Sequence, residues 1–258
     1  MNRTFNIIMY GIAALLILFF IVLISSMFAE LFQESAVKTP HFGEVFFAIK
    51  LSLLTASAAS LFAIIVSVPV AYLFSRYTFP GKIFFDTLLD LPIVLSPIAL
   101  GALLLIFFNT SLGKSIENSI GPIVFEVKGI ILAQFIVIVG LSIRLLKETF
   151  GGIDVEYENL SRTLGLGKFK TFIKVTLPMA KKGLIAAFLL VWGRAIGEFG
   201  ATVTLAGATT MKTETLPVAI FLNFETVNIS TAIVFIIILL TISLAILFLV
   251  RRINEYVK

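Results

Sequence analysis

Cysteine is absent from the 258 residues, and histidine occurs once, as His41. The first absence excludes disulfides, a thiolate metal site and a cysteine nucleophile; the second excludes a histidine-rich metal centre. Charge is scarce as well, with Asp, Glu, Lys and Arg together at 14%, against about 25% in soluble domains. No paired carboxylates, nucleophile triad or metal-ligand cluster stands out. Gly113-Lys114-Ser115 resembles the end of a nucleotide-binding loop, but Phe108 stands where that loop needs its first glycine, so this chain is not expected to hydrolyse ATP. No segment alternates in the manner of a barrel strand.

What fills the chain is apolar. Hydrophobic residues reach 59%, with 26 phenylalanines, and the mean hydropathy is +1.08. Runs able to cross about 30 Å of hydrocarbon, roughly 20 residues each, cover Ile7 to Phe28, Leu51 to Phe74, Phe84 to Phe108, Gly129 to Leu146, Gly183 to Ala206 and Ile229 to Val250. Lipid offers no partner for backbone N–H and C=O groups, so each run must be a helix. The sequence therefore predicts an all-α, six-span, multi-pass membrane protein. The first run is longer than the roughly 7–15-residue core of a secretory signal and is retained as a span. The links 29–44, 109–128 and 207–228 are too short to be separate domains. A single domain over 1–258 is expected, with its core at about 45–252 and no internal repeat.

Charge orients this bundle. With both termini in the cytoplasm, fourteen basic residues lie inside, and only Lys38, Lys50, Lys114, Lys128 and Lys212 outside. That is the bias that sets membrane topology, and it explains the net charge of +5 without any nucleic acid. Tyr10, Tyr72, Tyr77 and Tyr256 gather near the same inner ends. Arg194 is left inside the bilayer.

The inner loop between spans four and five, about 147–182, carries the most polar stretch. Asp154, Glu156 and Glu158 place negative charge where a short helix would start, suiting its positive dipole end. Gly165 and Gly167 can end that helix in a left-handed conformation. Leu177-Pro178 then fits the start of span five, because proline suits a first helical position and disfavours helix just before itself. A short helix held between two spans can transmit a push.

Glu158, Gly165, Val175, Leu177 and Pro178 together resemble the EAA loop of permease subunits in ABC importers, with Asn159, Leu160 and Ser161 where alanines are common and Val175 where isoleucine is common. Gly193-Arg194-Ala195-Ile196-Gly197-Glu198-Phe199-Gly200-Ala201-Thr202, Thr213-Glu214-Thr215-Leu216-Pro217, and Asp86-Thr87-Leu88-Leu89-Asp90-Leu91-Pro92 with Ser96-Pro97 are similar to molybdate, tungstate and sulfate permeases. The resemblance implies a type I ABC importer permease fold in the cell membrane. It assigns ATPase coupling to Glu158, Arg162, Gly165, Leu177 and Pro178. It further implies two ATPase subunits that bind the ATP and Mg, and an external solute-binding protein. A six-helix chain with one such loop can address one ATPase groove, so a homodimer is expected.

Arg194 and Glu198 sit i and i+4 at membrane depth, where a lone charge costs about 2.5–3.5 kcal/mol. They either neutralise each other or line the pathway of a dianion together with Thr202, Thr204, Pro92 and Pro97. Gly193, Gly197 and Gly200 are expected to serve helix packing. The small residues Ser52, Thr55, Ala56, Ser57, Ala58, Ala59 and Ser60 should let helix 2 pack closely. Sulfate or phosphate is the alternative cargo. The alternative class is a secondary transporter or channel in which Glu198 titrates.

Overall fold

The computed structural model describes residues 3–33 and 42–255. His41, Lys38, Tyr256, Lys258 and most of the first outer link lie outside them. In chain order the helices are α1 (Arg3–Gln33), α2 (Phe42–Arg76), α3 (Lys82–Val94), α4 (Pro97–Asn109), α5 (Ser111–Ile120), α6 (Val127–Gly151), α7 (Val155–Thr163) and α8 (Lys168–Thr171). A π-helical segment, Phe172–Thr176, leads into α9 (Leu177–Ile196), followed by α10 (Gly200–Ala206), α11 (Leu216–Glu225) and α12 (Ile229–Glu255). Among the described residues, five stretches are long and apolar enough to cross a membrane, and α3 with α4 makes a sixth if that bent pair is one span.

Helices α2 and α6 form the most extensive helix contact. The small-residue band accounts for it: Ala56, Ala59 and Ala63 are buried with Ile138 of α6 and Val191 and Ala195 of α9. Ser57 accepts a hydrogen bond from the Trp192 indole at 3.0 Å. α1 lies at the margin against α12, its apolar side chains exposed along the span.

Two expected spans are broken. The run 84–108 bends by 108° between Val94 and Pro97. Pro97 has no N–H to continue the ladder and drives Ser96 into an extended conformation, and the Ser96 hydroxyl accepts the Ala99 N–H at 3.3 Å to start α4. The run 183–206 stops at Ile196 and resumes at Gly200. The Glu198 carboxylate bridges the gap by accepting the Ala201 N–H at 3.0 Å. The two breaks meet: a Cβ on Gly200 would lie 3.0 Å from Ile98 Cγ1 and 3.2 Å from Pro97 Cβ. Of the three glycines expected to serve packing, Gly200 is crowded in this way and Gly193 makes ordinary contact with Ile246. Gly197 has nothing nearer than 3.9 Å and marks the break instead.

The link 207–228 is not merely a loop, because α11 buries Leu216, Val218 and Ala219 against α2 and α12. Thr213 shapes its approach, accepting the Thr209 N–H at 3.0 Å and donating to the Gly207 carbonyl at 3.2 Å. Ser52 accepts the Leu216 N–H at 2.8 Å. Glu214 is buried and accepts the Met211 N–H at 2.9 Å. Burial pushes its carboxyl above the usual range, with Glu44 adding to the rise and the Met211 N–H opposing it.

Because the folded state raises this pKa, Glu214 contributes stability below the ordinary carboxylate range that is lost as pH rises through it. Glu214→Gln keeps an acceptor oxygen and removes the charge. It is expected to raise the melting temperature in detergent at pH 7 and to flatten the decline as pH rises above the ordinary carboxylate range; an unchanged pH profile would count against the buried charge. Gly101 makes a separate test, since a Cβ there would lie 2.9 Å from the Ala201 backbone and 2.8 Å from Thr204 Cβ. Gly101→Ala should destabilise the protein by about 1–3 kcal/mol through overpacking, read as a lowered denaturation midpoint.

Candidate functional site: the α7 clasp and the Arg194 cavity

The interruption between the α6 and α9 spans is narrower than 147–182, because helix runs to Gly151 and resumes at Lys168. Asp154 caps α7, its carboxylate accepting the Glu156 N–H at 2.9 Å. Gly165 ends the helix with φ +92°. The Leu166 N–H bonds the Ser161 carbonyl at 3.1 Å and the Gly165 N–H the Arg162 carbonyl at 3.0 Å, the paired closure of a Schellman cap. Gly167, with φ −69°, is not left-handed; one reversal suffices.

Leu177-Pro178 opens α9 with proline in its first turn, as expected, but the backbone before it is helical too. Thr176 and Leu177 are already helical, and the Leu177 N–H reaches back five residues to the Phe172 carbonyl. A proline inside a helix leaves the carbonyl four residues back without its donor and collides with it. The wider π turn just before Pro178 makes room for the ring. Pro178 is exposed, whereas Leu177 packs against the cluster of Ala71, Leu146, Phe150 and Ala180.

Glu158 is buried, and its charge is held by side chains rather than by the helix dipole alone. Arg76 Nε donates to Oε1 at 2.9 Å, the Tyr72 hydroxyl to Oε2 at 2.9 Å and the Thr176 hydroxyl to Oε1 at 3.1 Å. Arg76 Nη2 reaches the Ile153 carbonyl at 2.8 Å. The Tyr72 ring sits 4.6 Å from that of Phe172 and 5.7 Å from that of Phe150. Ser161, one of the three replaced alanine positions, bonds Thr171 at 2.9 Å. Thus α7 is fastened to α2, α8 and the π segment at once. Its opposite face is open, with Tyr157, Leu160 and Leu164 exposed, Leu164 at 76%, and the Arg162 side chain in solvent.

Tyr72, Arg76, Thr171 and Thr176 carry no mark in the sequence beyond placement near an inner membrane edge. The available signal is the i,i+4 pair Tyr72 and Arg76 at the end of a span, a donor pair lacking a local acid.

Of the proposed pathway residues, Arg194, Pro92 and Pro97 line one cavity of about 140 Å³ at the α3–α4 bend. Glu198 stands behind Arg194 in an ion pair, with Arg194 Nη1 2.7 Å from Oε2. The pair forms although the helix ends at Ile196, so it is not a pair along one continuous helix face. Thr202 is fully buried and its hydroxyl has no hydrogen-bond partner among the described residues. Thr204 spends its hydroxyl on the Gly200 carbonyl at 2.7 Å. Neither threonine borders that cavity.

The chain belongs to the family of binding-protein-dependent transport system inner membrane components, whose family model matches residues 63–258. It is 35% identical over 182 residues to the molybdenum transport system permease protein ModB of Escherichia coli K12, covering 69% of this chain and 80% of that one. Over 173 residues it is 35% identical to the molybdate/tungstate transport system permease protein WtpB of Thermococcus kodakarensis, covering 67% and 66%. A bacterial alginate ABC transporter, crystallised with an alginate pentasaccharide-bound periplasmic protein, shares the fold with a TM-score of 0.75 over 98% of this chain and 96% of its own at 15% identity.

Removing Glu158 leaves the buried Arg76 guanidinium uncompensated. Glu158→Ala should cost about 3–5 kcal/mol locally and speed amide hydrogen exchange across residues 155–163; protection equal to wild type would show that the clasp does not hold α7.

Proposed function

We propose that this chain is the membrane subunit of an ATP-driven importer for a tetrahedral oxyanion, molybdate or tungstate, acting as a homodimer with two ATPase subunits on the cytoplasmic side and an external solute-binding protein. The observation that carries this reading is α7: a short helix fastened by Glu158 to two membrane spans, with a solvent-facing surface of Tyr157, Leu160 and Leu164. A soluble partner can seat on such a surface, and the clasp would pass its movement into the bundle. The excess of Lys and Arg on the same side of the chain supports a cytoplasmic α7 and cytoplasmic termini.

In this reading Glu158 anchors, Gly165 shapes the helix end, Arg162 and the exposed leucines meet the ATPase, and Leu177 and Pro178 join the π turn to α9. ATP binding would close the ATPase pair, draw the two α7 helices together and turn the cavity outward; hydrolysis would reset it. ATP and Mg belong to the partner. The names of the ModB and WtpB relatives support the oxyanion.

The test is uptake of molybdate, tungstate and sulfate into proteoliposomes holding this chain with its ATPase and binding protein. Uptake should require internal ATP. Flux that persists without the ATPase and collapses with the proton gradient would overturn the proposal in favour of a secondary transporter. Leu164→Asp and Gly165→Asp should weaken ATPase co-purification by about tenfold, the loss of one apolar or charged hot-spot contact, while membrane insertion is unchanged.

A further inference from the structure

Of the three buried acids among the described residues, Glu158 and Glu198 are paired with arginine, and in opposite ways. In the Arg76–Glu158 pair both side chains are hidden, at 7% and 8% exposure. In the Arg194–Glu198 pair the acid is at 1% and the arginine at 40%. A pair that served only to neutralise charge in the bilayer would hide its cation as well as its anion, since the exposed cation keeps its insertion cost.

Glu198 is held from both sides. One oxygen accepts the Ala201 N–H at 3.0 Å, and the other lies 2.7 Å from Arg194 Nη1 in an ion pair. Arginine carries five N–H donors, and among the described residues Glu198 is the acid this guanidinium pairs with. The guanidinium sits between two openings. One is the cavity at the α3–α4 bend, where, among the described residues, Arg194 is the only charged side chain beside Pro92, Leu95, Pro97, Val137 and Leu141. The other, about 210 Å³, lies between α9 and α12, and the polar Ser243 there already donates to the Leu239 carbonyl at 2.8 Å.

We infer that Arg194 is the contact residue for a tetrahedral dianion in transit at the α3–α4 bend, and that Glu198 is the positioning residue that aims its guanidinium. This rests on the oxyanion-import reading above. The chemistry fits at three points. A planar guanidinium presents paired donors that match two oxygens of a tetrahedral oxyanion. A cavity of about 140 Å³ equals the liquid share of roughly four or five waters, and such an anion has five heavy atoms. Finally, the carboxylate behind the arginine repels the same dianion at longer range. The site is therefore attractive enough to admit the ion and too weak to retain it, as conduction requires.

Four variants separate this from a purely structural pair: R194Q, R194K, E198Q and the double variant R194Q/E198Q. Each is reconstituted with the ATPase and the binding protein, and radiolabelled molybdate uptake is measured beside ATP hydrolysis stimulated by the binding protein. R194Q is expected to cut uptake by about tenfold or more, the worth of a charge-assisted contact, while stimulated hydrolysis persists. R194K should retain part of the uptake, and E198Q should lower it less than R194Q.

The double variant decides the issue, because its two amides can bond each other and leave no buried charge. It should assemble and hydrolyse ATP yet remain as poor in uptake as R194Q; recovery to wild-type uptake would reduce Arg194 to a structural partner and overturn the inference. Wild-type uptake by R194Q would do the same. Should the unaltered complex move none of molybdate, tungstate and sulfate, the functional reading itself fails and this inference falls with it.

Discussion

The buried carboxylate of Glu158 is the constraint around which the rest of the structure is organised. An ionised acid in a hidden position is tolerated only when its charge is paired and its lone pairs are occupied, and here the donors come from Tyr72 and Arg76 on α2 and Thr176 on the π segment. These partners lie 86, 82 and 18 residues away. The requirement to satisfy one acid therefore brings α7, the end of α2 and the start of the α9 span into a single junction. The aromatic contacts of Tyr72 with Phe150 and Phe172 extend that junction to α6.

Proline has three different outcomes in this bundle, and each depends on its surroundings. Pro69 lies within the unbroken α2, a helix packed along its length against α6. Pro97 coincides with a full change of direction, because Ser96 is extended and its hydroxyl offers α4 a new cap. Pro178 is absorbed by a π turn that keeps the helix continuous. The residue type alone specifies a missing donor; the neighbours decide whether the helix tolerates it, restarts or widens.

This is also why the sequence is legible unevenly. Six apolar runs, the short helix after Asp154 and its left-handed end at Gly165 can all be read directly, since hydropathy, capping and a positive φ are local matters. The small-residue face of α2 is likewise visible, because close packing has a composition. The break between Ile196 and Gly200 is not: an apolar run with a glycine looks like a span, and the cause lies in Glu198 turning to cap α10. Thr202 and Thr204 are hydroxyls at the right depth, yet one is buried and the other bonded to its own helix. Depth along the chain is encoded by hydropathy; the side of the helix that faces a cavity is set by partners remote in sequence.

The same geometry bears on how motion could cross the membrane. The α7 clasp grips the π segment, and that segment runs without interruption into α9, whose 20 residues span about 30 Å at 1.5 Å per residue. At its far end lies Arg194, one turn before the break at Gly197 and beside the bend between α3 and α4. A hydrogen-bonded helix resists compression and bending far more than the non-helical joint 197–199 does, so a displacement applied at α7 would be carried along α9 and released where the backbone is interrupted. That joint is crowded on one side, where Gly200 meets Pro97 and Ile98, and open on the other, where Arg194 faces its cavity. Movement of α9 would thus shift the guanidinium relative to the α3–α4 bend without a change in the clasp itself, and the proposed driving site and the proposed anion contact become two ends of one rigid element.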